Sequence, residues 1–351
     1  MPSLPEMKNF SERLIQWGTK EGRNALPWKE KNNGMFDPYK IWVSETMLQQ
    51  TKLAVVMPKF KHFMEKFPNI EKLANSSVDE VISVWSGLGY YRRARNLHKG
   101  AKVILNDRQK VFPKNAIDWE TIPGVGASTS AAISSFTNSE RVAILDTNVT
   151  RVLSRRYCLN EVNPKMKEKK ALLSLAIKLL PQKNSEMPLY SQYIMDLGAL
   201  VCKPVSPACE RCPVSDDCES FTSETVELYP KKTKKILKER KLTWVLAMDR
   251  EKVILEKQTE EKLWKSLFVP ASNIKMKENK RLPRKRFFRS YRLKVSNCDL
   301  TVDVWKRECV FDKIKLSGKH QIARKTANKK VPMPKILEKI LQDSSFWILS
   351  S

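Results

Sequence analysis

Four of the seven cysteines crowd into seventeen residues with the spacing C-x6-C-x2-C-x5-C. They are Cys202, Cys209, Cys212 and Cys218. Thiolates this close in sequence are typical of a metal site, and four of them suit either a tetrahedral zinc ion or a [4Fe–4S] cluster. Structural zinc usually has two closely spaced cysteine pairs, whereas this loop has one, so the spacing favours iron–sulfur and leaves zinc open.

Glu45 has the surroundings that a general acid needs. Asp37-Pro38 predicts a helix start, because Asp is a favoured capping residue and Pro suits the first turn. The residues three and four positions from Glu45 are then mostly apolar: Ile41, Trp42, Leu48 and Gln49. A carboxyl in such a stripe loses hydration, which disfavours its ionised form. From these residues alone, an ordinary surface glutamate remains the more frequent interpretation.

Asp146 stands between the apolar run VAIL and a helix-like segment. The first interpretation is therefore a helix N-cap, worth about 1 kcal/mol. The amides of a helix N-terminus also hold a carboxylate ionised, and an anion is what a developing cationic sugar needs beside it. Capping and catalysis are compatible roles for this residue.

The segment from Thr121 to Thr129, TIPGVGAST, predicts a turn between two helices. Its two glycines, Gly124 and Gly126, let the backbone approach a ligand closely. Turn amides and the N-terminus of the next helix can bind one phosphate without a side-chain charge.

The rest of the sequence predicts helices that carry these residues, followed by a sheet. Apolar spacing near 3.6 predicts helices over 41–56, 78–85, 94–105, 128–136, 149–157, 169–180 and 190–200. Alternating runs predict strands in KLTWVLAMD, KVILEKQ, FFRSYRLKV and LTVDVWKREC, and VPMPKILEKILQ predicts a closing helix. We expect an all-α region over 1–230, a basic linker over 231–241 and a small sheet domain over 242–351.

The charge is strongly basic and unevenly distributed. The chain of 351 residues carries a net charge of +27, and residues 231–351 hold 33 Lys and Arg against 13 Asp and Glu. Such an excess indicates a polyanionic partner, and we expect nucleic acid. The sequence has neither a membrane-spanning apolar run nor a secretion signal at its N-terminus, so we expect a cytoplasmic protein.

Several segments together resemble the MutY-type adenine DNA glycosylases of the helix-hairpin-helix superfamily, relatives of endonuclease III. Over about residues 10–220 they are LPWK, VSETMLQQT, WSGLGYYRRARNLH, IPGVG, ILDTNVTRV, MDLGALVC and the four-cysteine loop. LWKSLF and SYRLKV resemble the family's Nudix-like recognition domain more weakly. The fold implied is α+β: an all-α helix-hairpin-helix region with a [4Fe–4S] loop, then a small Nudix-like α/β domain.

The resemblance implies hydrolysis of an N-glycosidic bond in double-stranded DNA, by a monomer. Glu45 would protonate adenine, Asp146 would stabilise the oxocarbenium-like sugar, and Asn148 would orient that site. Two carboxylates divide the work in this way in glycosidases. The implied substrate is adenine opposite 8-oxoguanine, or opposite guanine.

The same resemblance assigns residues that handle the extruded base. Gln50 and Tyr90 match positions that enter the base stack, with Leu48 nearby, while Trp28 and Gln192 match positions lining the adenine pocket. Tyr90 lies between Gly89 and a basic cluster, Arg92, Arg93 and Arg95, which suits DNA better than a core.

Two positions separate this chain from relatives. Ser128 stands where bifunctional relatives carry a Schiff-base lysine, so we expect a monofunctional enzyme that leaves an abasic site. In the C-terminal domain, Ser290 and Tyr291 stand where the family's 8-oxoguanine-reading loop has Ser and His. Two alternatives stay open: a thymine-mismatch or oxidised-pyrimidine glycosylase on the same scaffold, and a non-catalytic iron–sulfur protein that binds DNA.

Overall fold

The computed structural model describes residues 4–32, 34–159, 166–231, 238–259, 263–272, 274–277, 282–295, 298–315, 320–324 and 331–348. The chain forms two compact units, one of residues 1–76 and 92–233 and the other of residues 77–91 and 234–351. Most of the predicted linker, residues 232–237, lies outside the described residues. The grouping of residues 77–91 with the second unit is a feature that no sequence pattern indicated.

Helices build the first unit, as the periodicity predicted. They are α1 (Leu4–Glu21), α2 (Pro38–Leu48), α3 (Leu53–Lys66), α4 (Ile70–Asn75), α6 (Arg92–Lys102), α7 (Ala116–Glu120), α8 (Ala127–Asn138), α9 (Thr147–Arg156), α10 (Met166–Lys178), α11 (Met187–Asp196) and α12 (Glu219–Thr222), while α5 (Val78–Val84) belongs to the second unit. Two short strands, β1 (Lys31–Asn32) and β2 (Met35–Phe36), pair antiparallel and depart from the all-α prediction. No helix of the described residues is long and apolar enough to cross a membrane.

The predicted helix over 41–56 is wrong as one element, because the chain turns sharply in its middle. Helix α2 ends at Leu48 and α3 begins at Leu53. Between them Gln50 has a φ of 55°, in the left-handed region. That conformation costs a non-glycine residue about 1–2 kcal/mol, so hydrophobic spacing alone could not reveal the break.

Helix α2 starts where the sequence predicted and lies in the core. The Asp37 carboxylate accepts a hydrogen bond from the Tyr39 amide at 2.8 Å, which caps the helix. Ile41, Trp42 and Met47 are fully buried, and the Trp42 ring meets that of Trp119 with centroids 5.9 Å apart. Most of α2 is therefore held in the core, while the Glu45 side chain is partly buried.

The second unit is built on a mixed sheet. Its strands are β3 (Lys238–Asp249), β4 (Lys252–Lys257), β5 (Phe268–Pro270), β7 (Arg286–Val295), β8 (Cys298–Glu308) and β10 (His320–Arg324), with a separate pair, β6 (Lys275–Met276) and β9 (Ile314–Lys315). The order is β10-β4-β3-β8-β7, and β3 runs parallel to β8 while the other pairs are antiparallel. The four predicted strands and the closing helix are confirmed.

Helix α13 (Lys335–Gln342) covers one face of this sheet. Its apolar residues, among them Leu337 and Ile340, join the buried side chains of β3 and β8, including Leu246 and Val302, in one cluster. Alternation places these residues on one face of the sheet, and the helical period matches them with one face of α13.

We expect Leu337→Ala to lower the free energy of unfolding of the second unit by about 2–5 kcal/mol, because Leu337 is fully buried and truncation leaves a cavity. Chemical denaturation followed by near-UV circular dichroism measures this change. Lys335→Ala, on the exposed side of the same helix, is the control and should change stability by less than about 0.5 kcal/mol. Equal effects of the two substitutions would contradict the assigned packing.

Candidate active site

Glu45 lies on α2 and is desolvated there, so the structure favours the general-acid interpretation over that of an ordinary surface glutamate. Burial, opposed by the cations Lys29 and Arg23 and reinforced by the negative charge of Asp146, raises the pKa of its carboxyl to about 7. The carboxyl is thus partly protonated at neutral pH, as a general acid requires. The influence of Asp146 also shows that the two predicted carboxyls lie in one electrostatic environment.

Asp146 caps α9, as predicted. Its carboxylate accepts a hydrogen bond from the Val149 amide at 2.7 Å and another from the Asn148 side chain at 3.2 Å. Burial raises the pKa of Asp146 above its usual value, and the hydrogen bonds from Val149 and Asn148 oppose that rise, as expected of donors that favour the ionised carboxylate. The hydrogen-bond donors stabilise the carboxylate anion, while burial, which the local sequence does not reveal, destabilises it.

Asn148 is held in turn by Arg151. The Arg151 guanidinium donates to the Asn148 side-chain oxygen at 2.9 Å, to the Gly198 carbonyl at 2.7 Å and to the Cys202 carbonyl at 2.8 Å. Gly198 is required here, because a Cβ atom at that position would stand 2.7 Å from the Cβ of Asn148. A continuous set of hydrogen bonds therefore joins Asp146 to the start of the cysteine loop.

Gln192, predicted to line the adenine pocket, lies in a polar network with Lys29, Arg23 and Asp196, which no sequence pattern singled out. Lys29 donates to the side-chain oxygen of Gln192, whose nitrogen donates to Asp196 at 2.5 Å. Arg23 donates to Asp196 through its side chain at 2.6 Å and its backbone amide at 2.8 Å. Lys29 follows Trp28 in the segment LPWK, and its position next to an apolar tryptophan is the signal that could have found it.

Burial lowers the pKa of Lys29 to about 7, against the attraction of Glu45 and Asp196. Its ammonium group also lies 4.1 Å from the centre of the Phe136 ring, which compensates part of the lost hydration. The pKa of Lys29 and the pKa of Glu45 therefore depend on each other, because each group's charge is among the causes of the other's shift.

The hairpin has the predicted geometry. It joins α7 to α8 through residues 121–126, and Gly126 caps α8. Gly124 has a φ of 85°, and a Cβ atom there would lie 2.5 Å from the Cβ of Asn96. Ser128 lies in the first turn of α8, partly exposed. The N-terminus of α8 thus presents backbone amides that can bind an anion.

The four predicted ligands Cys202, Cys209, Cys212 and Cys218 line one cavity. Among the described residues, no three His, Cys, Asp or Glu side chains form a site for a single metal ion. Zinc needs thiolates within about 2.3 Å of one point, whereas a four-iron cubane spreads its ligands around a larger volume. Arg155 donates to the Cys202 sulfur at 3.4 Å, a contact that stabilises a thiolate ligand. The donor set and the shared cavity fit an iron–sulfur cluster.

The remaining predicted base contacts fall in different settings. Trp28 is 1% exposed and meets the Phe60 ring edge-on at 5.0 Å. Leu48 ends α2 partly exposed, and Gln50 is exposed in the turn that follows. Tyr90, in the second unit, is 49% exposed with a φ of 46°. Their contacts with DNA stay predictions.

The resemblance implied that Ser290 and Tyr291 lie in a loop. They lie instead within β7, which pairs with β8 along most of its length. Neighbouring side chains of a strand point to opposite faces. Ser290 accordingly donates to Asp303 of β8, whereas Tyr291 packs against the core of the sheet. At most one of the two can contact a given base.

Comparison with known proteins places the chain in a family. Residues 43–177 match the model of the HhH-GPD superfamily base excision DNA repair proteins, and residues 202–218 match the iron–sulfur binding domain of endonuclease III. A thermostable thymine-DNA glycosylase of known structure shares 28% identity with a TM-score of 0.54, covering 62% of this chain and 97% of its own. The fold and the site therefore define a helix-hairpin-helix base excision repair protein, and its cofactor is a [4Fe–4S] cluster.

Two curated relatives identify the family within this class of proteins. The adenine DNA glycosylase of Buchnera aphidicola from Schizaphis graminum is 39% identical over 260 residues, which cover 74% of this chain and 73% of the relative. That of Buchnera aphidicola from Baizongia pistaciae is 34% identical over 312 residues, covering 84% and 85%. The chain belongs to the adenine DNA glycosylase family.

We expect Lys29→Met to raise the pKa of Glu45 by about one unit, because the substitution removes an opposing cation. Carboxyl ¹³C NMR of glutamate-labelled protein measures the titration, and loss of the signal in Glu45→Gln assigns it. Lys29→Arg keeps the cation at all pH values and should lower the Glu45 pKa. An unchanged titration in both variants would contradict the coupling.

Proposed function

We propose that this protein removes adenine mispaired with 8-oxoguanine or guanine, by hydrolysis of the N-glycosidic bond. The observation that carries the proposal is the raised pKa of Glu45, about 7, in the same electrostatic environment as the capped Asp146. Two carboxyls in different protonation states are what acid-assisted departure of a base from a sugar requires.

The adenine must first leave the stack, since its reacting atoms are inaccessible within a duplex. Glu45 then donates its proton to N7, the C1′–N9 bond breaks, and adenine departs as a neutral base. Asp146, ionised and held by Val149 and Asn148, stabilises the cationic sugar. Water adds its hydroxide to C1′ and its proton returns to Glu45, which balances the reaction.

The protein leaves an abasic site. Strand cleavage by a glycosylase needs an amine that forms a Schiff base with the opened sugar. Ser128, in the first turn of α8, supplies a hydroxyl at the position where bifunctional relatives place that amine. Cleavage of the strand is therefore left to alkali or to another enzyme.

The DNA is held by several surfaces of this chain. The hairpin with Gly124 and Gly126, and the N-terminus of α8 that follows it, bind a phosphate. The second unit, with its basic excess and resemblance to a Nudix-like domain, binds the strand opposite the adenine, and Ser290 contacts the opposite base. Cys202, Cys209, Cys212 and Cys218 hold the cluster, which when bound cross-links the loop through iron–thiolate bonds.

A second candidate is excision of thymine from a T:G mismatch. It is favoured by the likeness to the thermostable thymine-DNA glycosylase, at 28% identity. A panel of A:8-oxoguanine, A:G and T:G duplexes distinguishes the two, because the adenine proposal expects base release from the first two only.

We expect Glu45→Gln to reduce single-turnover adenine release by about 10²–10⁴-fold, because an amide cannot donate the proton. Release is measured as alkali-dependent cleavage of a labelled duplex by the protein reconstituted with iron and sulfide. Glu65→Gln, an exposed glutamate of α3, is the matched control and should retain the full rate. Adenine release by Glu45→Gln at the unsubstituted rate would exclude its role as the acid.

A further inference from the structure

Arg93 contacts the protein where the sequence suggested a contact with DNA. One guanidinium nitrogen donates to the carbonyls of Thr46 and Met47, each at 2.9 Å, and of Gln49 at 2.5 Å. The other donates to the Thr51 hydroxyl at 3.0 Å. The last carbonyls of a helix have no partner within that helix, so Arg93, reaching from α6, caps the C-terminal end of α2.

The turn that Arg93 holds is strained and exposed. Gln50 stands in it with a φ of 55°, and its side chain is exposed. A non-glycine residue keeps such a backbone only where its surroundings over-determine it, and these conformations concentrate at functional sites. The side chain of Gln49 also donates to Thr129 of α8 at 3.1 Å. The turn is therefore held from two sides, by α6 and by the helix that follows the hairpin.

Helix α2 carries both Glu45 and this turn, little more than one helical turn apart. If Gln50 enters the space that an extruded adenine vacates, the base must reach Glu45 at the same time. If the turn could move relative to α2, Gln50 could enter the stack without bringing the adenine to Glu45. A guanidinium suits the task better than an ammonium, because its rigid planar fork spans acceptors on both sides of the bend.

We infer that Arg93 is a positioning residue that couples extrusion of the adenine to its hydrolysis, by holding Gln50 in register with Glu45 through the end of α2. This inference rests on the proposed function. It assigns Arg93 to the protein interior, and it leaves Arg92, exposed one residue earlier on the same helix, as the cation available to DNA.

The test compares two duplexes in single-turnover adenine release, using the iron–sulfur-loaded full chain. In one duplex adenine faces 8-oxoguanine, and in the other it faces a tetrahydrofuran abasic analogue and has no pairing partner. We expect Arg93→Met to slow release from the paired duplex by about ten-fold or more and from the unpaired duplex by less than about two-fold, because extrusion costs least where the base is already unpaired. Arg93→Lys should fall between Arg93→Met and the unsubstituted protein.

Fluorescence of 2-aminopurine in place of the adenine reports extrusion directly, and its rise on binding should shrink in Arg93→Met. Thr51→Val removes only one of the four acceptors and should act in the same direction but less, which keeps the test usable if Arg93→Met does not fold. Arg92→Met removes the same charge from the exposed neighbour, and any loss should be equal for both duplexes.

Equal losses for the two duplexes in Arg93→Met and Arg93→Lys would overturn the inference, because a purely structural role slows both reactions alike. Full activity of both variants on the paired duplex would overturn it as well. A failure of the unsubstituted protein to release adenine from either duplex is a different result, which counts against the proposed function.

Discussion

The burial of one carboxyl, that of Glu45, is the constraint on which the first unit depends. Helix α2 buries its tryptophan and aliphatic side chains in the core, and desolvation there is the main cause that raises the pKa of Glu45 to about 7. The same packing stabilises the fold through the hydrophobic effect. The chemistry and the stability of this unit therefore share one cause, and a substitution that loosens the core around α2 would rehydrate the acid.

A buried acid needs charges around it that balance. Asp146 opposes the ionisation of Glu45, while Lys29 and Arg23 favour it. Arg23 is largely committed to Asp196, with which it forms an ion pair at 2.5 Å. Lys29 is the more adjustable partner, because its own pKa is lowered to about 7. The number of protons bound at the site is thus set jointly by Glu45, Asp146, Lys29 and the other charged side chains, and no single residue determines it.

Several charged or anion-binding groups of the first unit lie at the ends of helices. Asp146 caps the start of α9, the hairpin ends at the N-terminus of α8, and Arg93 satisfies the carbonyls that end α2. At the start of α9 and at the end of α2, unpaired backbone groups and the helix dipole meet a side chain of opposite charge. No side-chain hydrogen bond caps the N-terminus of α8 after the hairpin, which is the terminus proposed to bind a phosphate.

The sequence by itself determined the elements and the chemistry that depend on local pattern. It identified the start of α2 at Asp37, the four-cysteine loop, the cap at Asp146 and the main strands of the second unit, because capping, ligand spacing and alternation are read within a few residues. Tertiary structure alone decided the rest: the break at Gln50, the raised pKa of Asp146 and the network around Lys29. These depend on burial and on partners distant in sequence, and local spacing does not record either quantity.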